Sequence, residues 1–255
     1  DAAPPAARAD AQQAPQAVAT PQDSADMARL LRVSAEQGIP LTFRSGGTSL
    51  SGQASSDGIL VDTRRGFREL EVLDDGRRVR VQPGVTIGAV NARLAPWGTK
   101  LGPDPASEAA CTIGGVVANN SSGMVCGTEF SSYRTVESMV IVLASGTIID
   151  TGASDADEQL RATEPELHTG LLRLRDRIRA DAPSVRILER QFSLKNTMGY
   201  GLNSFLDHEA PAQILARLMI GSEGTLGFVA EVTFRTIPVR PHVATGLLFF
   251  ASLAA

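Results

Sequence analysis

Cysteine is scarce in this 255-residue chain, which holds only Cys111 and Cys126. Their spacing matches neither a zinc site nor a disulfide framework, so each reads as a small buried residue, and a single disulfide between them stays open. Clustered positive charge is missing too. The net charge is −4, and no Lys/Arg block supplies the stripe that a nucleic-acid surface needs. No apolar run reaches the ~18 residues of a membrane span. The Ala/Pro/Gln-rich residues 1–16 lack the basic and apolar regions of a secretory signal and suit a disordered or linker-like segment. Two nucleotide fingerprints are absent as well: G-x-G-x-x-G at a strand-to-helix turn with an acid about twenty positions on, and G-x-x-x-x-G-K-[ST]. With 43% hydrophobic residues, the chain has enough for a well-buried core in one large α/β domain or two smaller ones.

Glycine, by contrast, comes in clusters. Residues 43–53 (FRSGGTSLSGQ) carry Gly46, Gly47 and Gly52 with the hydroxyls of Ser45, Thr48, Ser49 and Ser51, directly after the apolar run Ile39, Leu41, Phe43. Glycine lets backbone N–H groups converge on an anion, and the hydroxyls add donors. The same composition also suits an ordinary surface connection. A second cluster, residues 112–123 (TIGGVVANNSSG), pairs Gly114 and Gly115 with Asn119, Asn120 and Ser122. It offers bare backbone to a flat or phosphorylated ligand, or allows close helix packing. A third, residues 221–227 (GSEGTLG), adjoins a run in which Phe228, Ala230, Val232 and Phe234 alternate with Val229, Glu231, Thr233 and Arg235, the pattern of a half-buried strand.

Between these clusters the periodicity predicts a mixed fold. Thr20-Pro21-Gln22-Asp23 reads as a helix start with Thr20 as N-cap, and Gly38 as its end. Strands are expected at residues 58–62 and 79–82, and a short helix capped by Thr86, which closes a βα unit near Trp97. Pro103 and Pro105 stiffen an irregular connection. Residues 136–143 and 147–150 form an expected hairpin. Thr163-Glu164-Pro165-Glu166 reads as a capping box before a helix with Leu167, Leu171, Leu174 and Ile178 on one face. Arg173, Arg175, Arg177, Arg179 and Arg186 read as a solvated face, His168 as a packing or capping residue, and Lys195 and Tyr200 as open ligand candidates. A helix spans residues 211–219. Leu247 to Phe250 read as the opening strand of a further domain, which makes the chain a fragment of something longer.

Residues 43–53, 81–87 (VQPGVTI), 112–123, 199–202 (GYGL) and 221–229 (GSEGTLGFV) resemble, in order and spacing, the FAD-binding domain of the vanillyl-alcohol oxidase/PCMH superfamily. They are most similar to its D-lactate, glycolate and D-2-hydroxyglutarate dehydrogenase branch, and within that branch to bacterial fusions with an iron–sulfur region. The resemblance implies a two-lobed α+β PCMH-type domain over residues 17–240, with lobes at about 17–100 and 101–240, and the start of a truncated substrate domain at 241–255. It implies that Ser45, Gly46, Gly47, Thr48, Ser49, Leu50 and Gln53 hold the FAD pyrophosphate. Pro103, Ser107, Gly114, Gly115, Asn119, Ser122 and Gly123 then line the ribityl and flavin region, with a backbone contact from Val229.

Relatives with covalent flavin carry histidine where this chain has Thr48, so FAD is expected to be noncovalent. Where many relatives have Tyr-Gly this chain has Glu129-Phe130, which departs from the pattern. The implied activity is oxidation of a D-2-hydroxy acid of the lactate, glycolate or 2-hydroxyglutarate class by hydride transfer to FAD. Electrons pass on to an iron–sulfur region, a quinone or a redox protein. A 4Fe-4S cluster is implied only for a missing C-terminal region. The family's metal ligands and catalytic base belong to the substrate domain, so no catalytic or metal residue is named here. Partners are a small-molecule substrate and an electron acceptor, with no nucleic acid and no transmembrane segment. The location implied is cytoplasmic, with attachment to the membrane surface left open. Two other readings stand beside this one: a superfamily oxidase acting on sugar-derived alcohols, and a noncatalytic FAD-binding domain.

Overall fold

The computed structural model describes residues 14–242 together with 244, 246, 249, 250 and 252. The linker-like reading of residues 1–16 therefore lies outside the described residues up to residue 13, as does much of the apolar run at 243–253.

The chain enters through a short strand that no periodicity announced, β1 (Ala17–Ala19), and then helix α1 (Ser24–Gln37). The cap of α1 is Asp23 rather than Thr20. The Asp23 carboxylate accepts from Asp26 N at 2.8 Å, while the Gln22 side chain takes up the Thr20 carbonyl and leaves Thr20 outside the helix. Gly38 ends α1 in the left-handed conformation, at φ 64°. Strands β2 (Leu41–Arg44) and β3 (Ile59–Asp62) pair in parallel, and β1 joins the other side of β3. This sheet and α1 enclose Met27, Leu31, Val61 and Phe67.

Strands β4 (Leu70–Leu73) and β5 (Arg78–Val81) form a hairpin, followed by α2 (Ile87–Leu94), whose Thr86 cap accepts from Ala89 N at 3.2 Å. Next come β6 (Thr99–Lys100), α3 (Ile113–Ala118), α4 (Ser132–Thr135) and the expected hairpin of β7 (Val136–Val142) and β8 (Ile148–Asp150). A helical layer follows: α5 (Ala156–Thr163), α6 (Pro165–Ala180), α7 (Ala182–Phe192), α8 (Ser204–Asp207) and α9 (Pro211–Met219). Strands β9 (Phe228–Arg235) and β10 (Ile237–Pro238) close it. The larger sheet is antiparallel in the order β4-β5-β9-β7-β8. Mixed parallel and antiparallel sheets with flanking helices make this an α+β fold. Its sheets do not divide at residue 100, because β4 and β5 pair into the same sheet as β7 to β9.

Three local expectations are corrected. Thr163 does not open α6: it ends α5, donating its hydroxyl back to Gln159 O at 2.8 Å. Glu164 caps α6 without a side-chain bond, because its carboxylate accepts from the Thr147 hydroxyl at 2.5 Å. Arg175 and Arg179 are not solvated like Arg173, Arg177 and Arg186. Arg179 Nε donates to Phe205 O at 2.8 Å and Arg175 Nη1 to Glu209 O at 2.6 Å, satisfying carbonyls at the end of α8. Leu174 is exposed, so the apolar face of α6 is narrower than its spacing implies.

The strict alternation of β9 also breaks. Val140 of β7 pairs with Glu231 but Ile141 pairs with Val229, so Ala230 is an extra residue in a bulge. Phe228 and Ala230 thereby face the smaller core with α1, while Val229, Val232 and Phe234 face the main core under the helices. One strand thus serves both cores. His168 packs, as expected, with Nε2 3.1 Å from Asp157 Oδ2.

Candidate functional site

The turn after β2, the residues around α3 and the turn before β9 converge on one cleft of about 480 Å³. Its first wall is Ser45 to Ser51 with Gln53. Gly46 is required for space, since a Cβ there would lie 2.9 Å from Ala110 O and 3.1 Å from Cys111 Cα. Ser45 Oγ is already engaged. It donates to Pro83 O at 3.0 Å and contacts the Thr112 hydroxyl, so the Ser45 side chain clamps the loop onto the entry to α3. Ser49 donates to Gln53 Oε1, closing the loop on itself.

The second wall is α3, with Gly114 and Gly115 in its first turn, then Asn119, Ser121 and Ser122 beyond it. That first turn offers an anion less than Gly-Gly suggests. Ile113 N donates to Val85 O at 2.9 Å and Gly114 N to Pro83 O at 3.0 Å, so two of its free donors are taken. A Cβ on Gly114 would meet Pro83 Cβ at 2.6 Å, which leaves room only for glycine there. The third wall is Ser222, Glu223, Gly224 and Gly227, with Phe228 and Val229 entering β9.

Of the expected cofactor residues, Ser45, Gly46, Gly47, Thr48, Ser49, Leu50, Gln53, Ser107, Gly114, Gly115, Asn119, Ser122 and Val229 come together on this cleft. Pro103 and Gly123 do not line it. Pro103 is buried, and Gly123 is held behind the wall, where a Cβ would come 1.8 Å from Asp104 O. The Asp104 carboxylate accepts from the N–H groups of Gly123, Val125 and Cys126 at 3.0, 3.0 and 3.1 Å, anchoring the turn after Ser122. Glu129 and Phe130 also lie off the cleft.

Lys195 donates to Gly123 O, and Tyr200 Oη is 2.6 Å from Thr225 Oγ1. Both tie neighbouring loops together, and Thr197 between them lines the cleft. The residues missed in the sequence are chiefly Thr112, Ser222 and Glu223. Glycines spaced around Ser222 and Glu223 were the available signal. Cys111 and Cys126 are free and buried, and burial pushes both thiols above their ordinary range.

Electrostatically the cleft is unusual for an anion site. Among the described residues no Lys or Arg lines it, and Glu223 is the one charged lining side chain. An anion in this cleft would meet N–H groups and hydroxyls, with no cationic side chain among the described lining residues. FAD fits this donor set: a pyrophosphate suits the backbone and hydroxyl donors of Ser45–Ser51, and bare backbone at Gly115, where a Cβ would meet nothing nearer than Ser45 Cβ at 4.0 Å, leaves space for close approach. Ser122 Oγ, on the cleft wall, is buried beside the Cys126 thiol.

The described helices include none long and apolar enough to cross a membrane, and the described residues contain no cluster of metal-ligating side chains. Comparison with known proteins agrees with the geometry. The chain is 30% identical over 233 residues to a D-2-hydroxyglutarate dehydrogenase of Pantoea ananatis, covering 88% of this chain and 22% of that one. It is 29% identical over 224 residues to a D-lactate dehydrogenase of Archaeoglobus fulgidus, covering 87% and 38%. It therefore spans between about a fifth and two fifths of these relatives' lengths. A crystal structure of 6-hydroxy-D-nicotine oxidase from Arthrobacter nicotinovorans shares the fold, with a TM-score of 0.58 at 19% identity over 89% of this chain and 37% of that one. The family model described as "FAD binding domain" matches residues 15–152, more than half of the sequence, and the chain belongs to that FAD-binding family.

Proposed function

We propose that this chain is the FAD-holding part of an oxidoreductase that oxidises a D-2-hydroxy acid of the lactate, glycolate or 2-hydroxyglutarate class. The observation that carries the reading is the closure of three separate glycine-rich turns on one cleft, in a chain whose similar proteins are named for D-2-hydroxyglutarate and D-lactate. FAD, when bound, supplies the two-electron acceptor for the hydride leaving the substrate's α-carbon. The chain's own residues bind and orient. Ser45 to Leu50 and Gln53 present donors to the pyrophosphate. Ser107, Gly114, Gly115, Asn119 and Ser122 run along the ribityl and flavin part, and Val229 offers backbone at the entry to β9. Pro103 and Gly123 act from behind, Gly123 by packing on Asp104. Thr48 has no nucleophilic ring nitrogen to offer, so the cofactor is noncovalent and exchangeable.

The substrate clamp and the proton-accepting base come from residues outside this chain, as does the onward electron acceptor, an iron–sulfur region, a quinone or a redox protein. Titrating flavin-free protein with FAD should quench flavin fluorescence with one site per chain, and denaturation should release all the flavin. Absence of saturable binding would end this reading. Anaerobic bleaching of the flavin in the longest natural form of the protein, by one of D-lactate, glycolate or D-2-hydroxyglutarate, tests the substrate class. Bleaching by sugar-derived alcohols alone would select an oxidase of that kind, and bleaching by neither would leave a noncatalytic FAD-binding domain.

A further inference from the structure

The charged side chain on the cleft wall has the wrong sign for a ligand that carries a pyrophosphate. Glu223 is nevertheless built into place. Its backbone sits at φ 53°, a left-handed conformation that glycine or asparagine would adopt at less cost. Its N–H donates to Ala118 O at 2.8 Å, pinning it to the C-terminal end of α3. Its Oε1 accepts from Asn119 Nδ2 at 2.6 Å, and Asn119 Oδ1 accepts from Ser121 Oγ at 2.8 Å. These two partners fix the orientation of the Asn119 amide, since an ionised carboxylate only accepts. Glu223 forms no ion pair, and its Oε2 no hydrogen bond, among the described residues.

Position along the cleft explains how an acid is tolerated. Ser45 and its loop abut Thr112 at the start of α3, whereas Glu223 is tied to its end. The six residues of α3 make a helix roughly 9 Å long at about 1.5 Å per residue, so Thr112 and Ala118 mark its two ends. The donor-rich loop and the carboxylate are therefore tied to opposite ends of α3.

We infer that Glu223 selects for the polyol part of the cofactor: its free oxygen accepts hydrogen bonds from vicinal sugar hydroxyls, at the end of the cleft away from the pyrophosphate. This rests on the FAD reading above. Within FAD such hydroxyls occur on the ribityl chain and on the adenosine ribose, and both present the same chemistry.

Glu223→Gln keeps an acceptor for Asn119 but removes the charge, so the flavin-free variant should melt at the same temperature as the wild type. Its affinity for FAD should fall by about 10- to 100-fold, the loss expected for a charge-assisted hydrogen bond. The sign is decisive. A carboxylate that merely repels the ligand predicts tighter binding of every anion once neutralised. Displacement assays with FMN, ADP and inorganic pyrophosphate separate the sources. Weakening with FMN alone assigns the ribityl chain, and weakening with ADP alone the ribose. Pyrophosphate, which has no hydroxyls, should bind the variant equally or more tightly. Glu223→Asn, which suits the left-handed backbone, should weaken FAD to a similar extent and guards against a folding artefact.

Unchanged or tighter FAD binding by Glu223→Gln overturns the inference, as does an equal loss for pyrophosphate. Failure of the wild type itself to bind FAD would instead remove the reading beneath it.

Discussion

The first and third glycine-rich turns face each other across the cleft, yet they use their glycines and polar groups differently. In the first, Gly46 is needed because neighbouring backbone comes too close for a Cβ, and the side chains around it are hydroxyls and an amide. In the third, Gly221 is needed on both counts, with Gly199 O 2.3 Å from where a Cβ would lie and its own φ at 86°, and the turn carries an acid held by Asn119. The first is exposed at its tip, where Leu50 lies wholly in solvent, whereas Gly221 and Ser222 are buried against the end of α3. A donor-rich turn can reach an anion from the surface. The acid in the same cleft stays exposed to solvent while one of its oxygens accepts from Asn119.

Four changes would break or sharpen that contrast. Gly46→Val strikes the first turn hardest. Its branched side chain has no space against Ala110 and Cys111, and FAD affinity should drop by more than about 100-fold, well beyond a single lost hydrogen bond, as read by fluorescence titration. A variant that retained wild-type affinity would remove the first turn from the site.

Gly221→Ala strikes the third turn through stability. Its Cβ would approach Gly199 O to 2.3 Å at a left-handed φ, which should cost about 1–3 kcal/mol in urea unfolding, with a smaller loss of FAD affinity than Gly46→Val. The reverse order of flavin losses would mean that the two turns had been assigned the wrong weights.

The support of the third turn also titrates. Arg217, in α9 just ahead of that turn, donates through Nε to His208 Nε2 at 3.3 Å, which requires a neutral imidazole. Burial, and then the Arg217 charge, hold the His208 pKa below its ordinary 6.5. The unfolded chain therefore takes up this proton at higher pH than the folded chain. Stability from this site is intact above about 6.5 and is lost as pH falls through the depressed folded value. Amide protection factors at residues 220–227 should fall on acidification before those at residues 45–53. His208→Asn should flatten that part of the pH–stability curve, and an unchanged curve would exclude His208 as its source.

The smallest effect on flavin is expected at Arg175. Its contacts are Glu209 O and Asp176, far along the chain from the cleft walls, so Arg175→Ala should leave FAD affinity within about twofold while costing about 1 kcal/mol of stability. Lost flavin in that variant would show that the helical layer, and not the turns alone, sets the cleft.

Much of the fold was legible because its signals are local. Thr86 caps a helix, Gly38 ends one, and residues 136–150 form a hairpin, since each depends on side chains within a few positions of the backbone they satisfy. The misreadings share a cause. Thr20 and Thr163 have capping chemistry, but neighbouring groups compete for the same backbone: Asp23 in the first case, and the preceding helix α5 in the second. Arg175 and Arg179 look solvated in sequence and are instead drawn to carbonyls 34 and 26 residues away. The bulge at Ala230 is invisible to a period-two reading, because it exists only against the register of β7.

By itself, the order of residues determined the class of fold, the family and the three glycine-rich turns, because glycine, hydroxyl and capping chemistry act over a few bonds and leave marks in sequence. Only the tertiary structure decided which of those residues share a wall. It placed Gly123 behind Asp104 rather than on the cleft, occupied the Ser45 hydroxyl with Pro83 and Thr112, and set Glu223 where Asn119 orients it. Those outcomes depend on partners 19, 38, 67 and 104 positions apart in the chain, which only the packed fold brings within hydrogen-bonding reach.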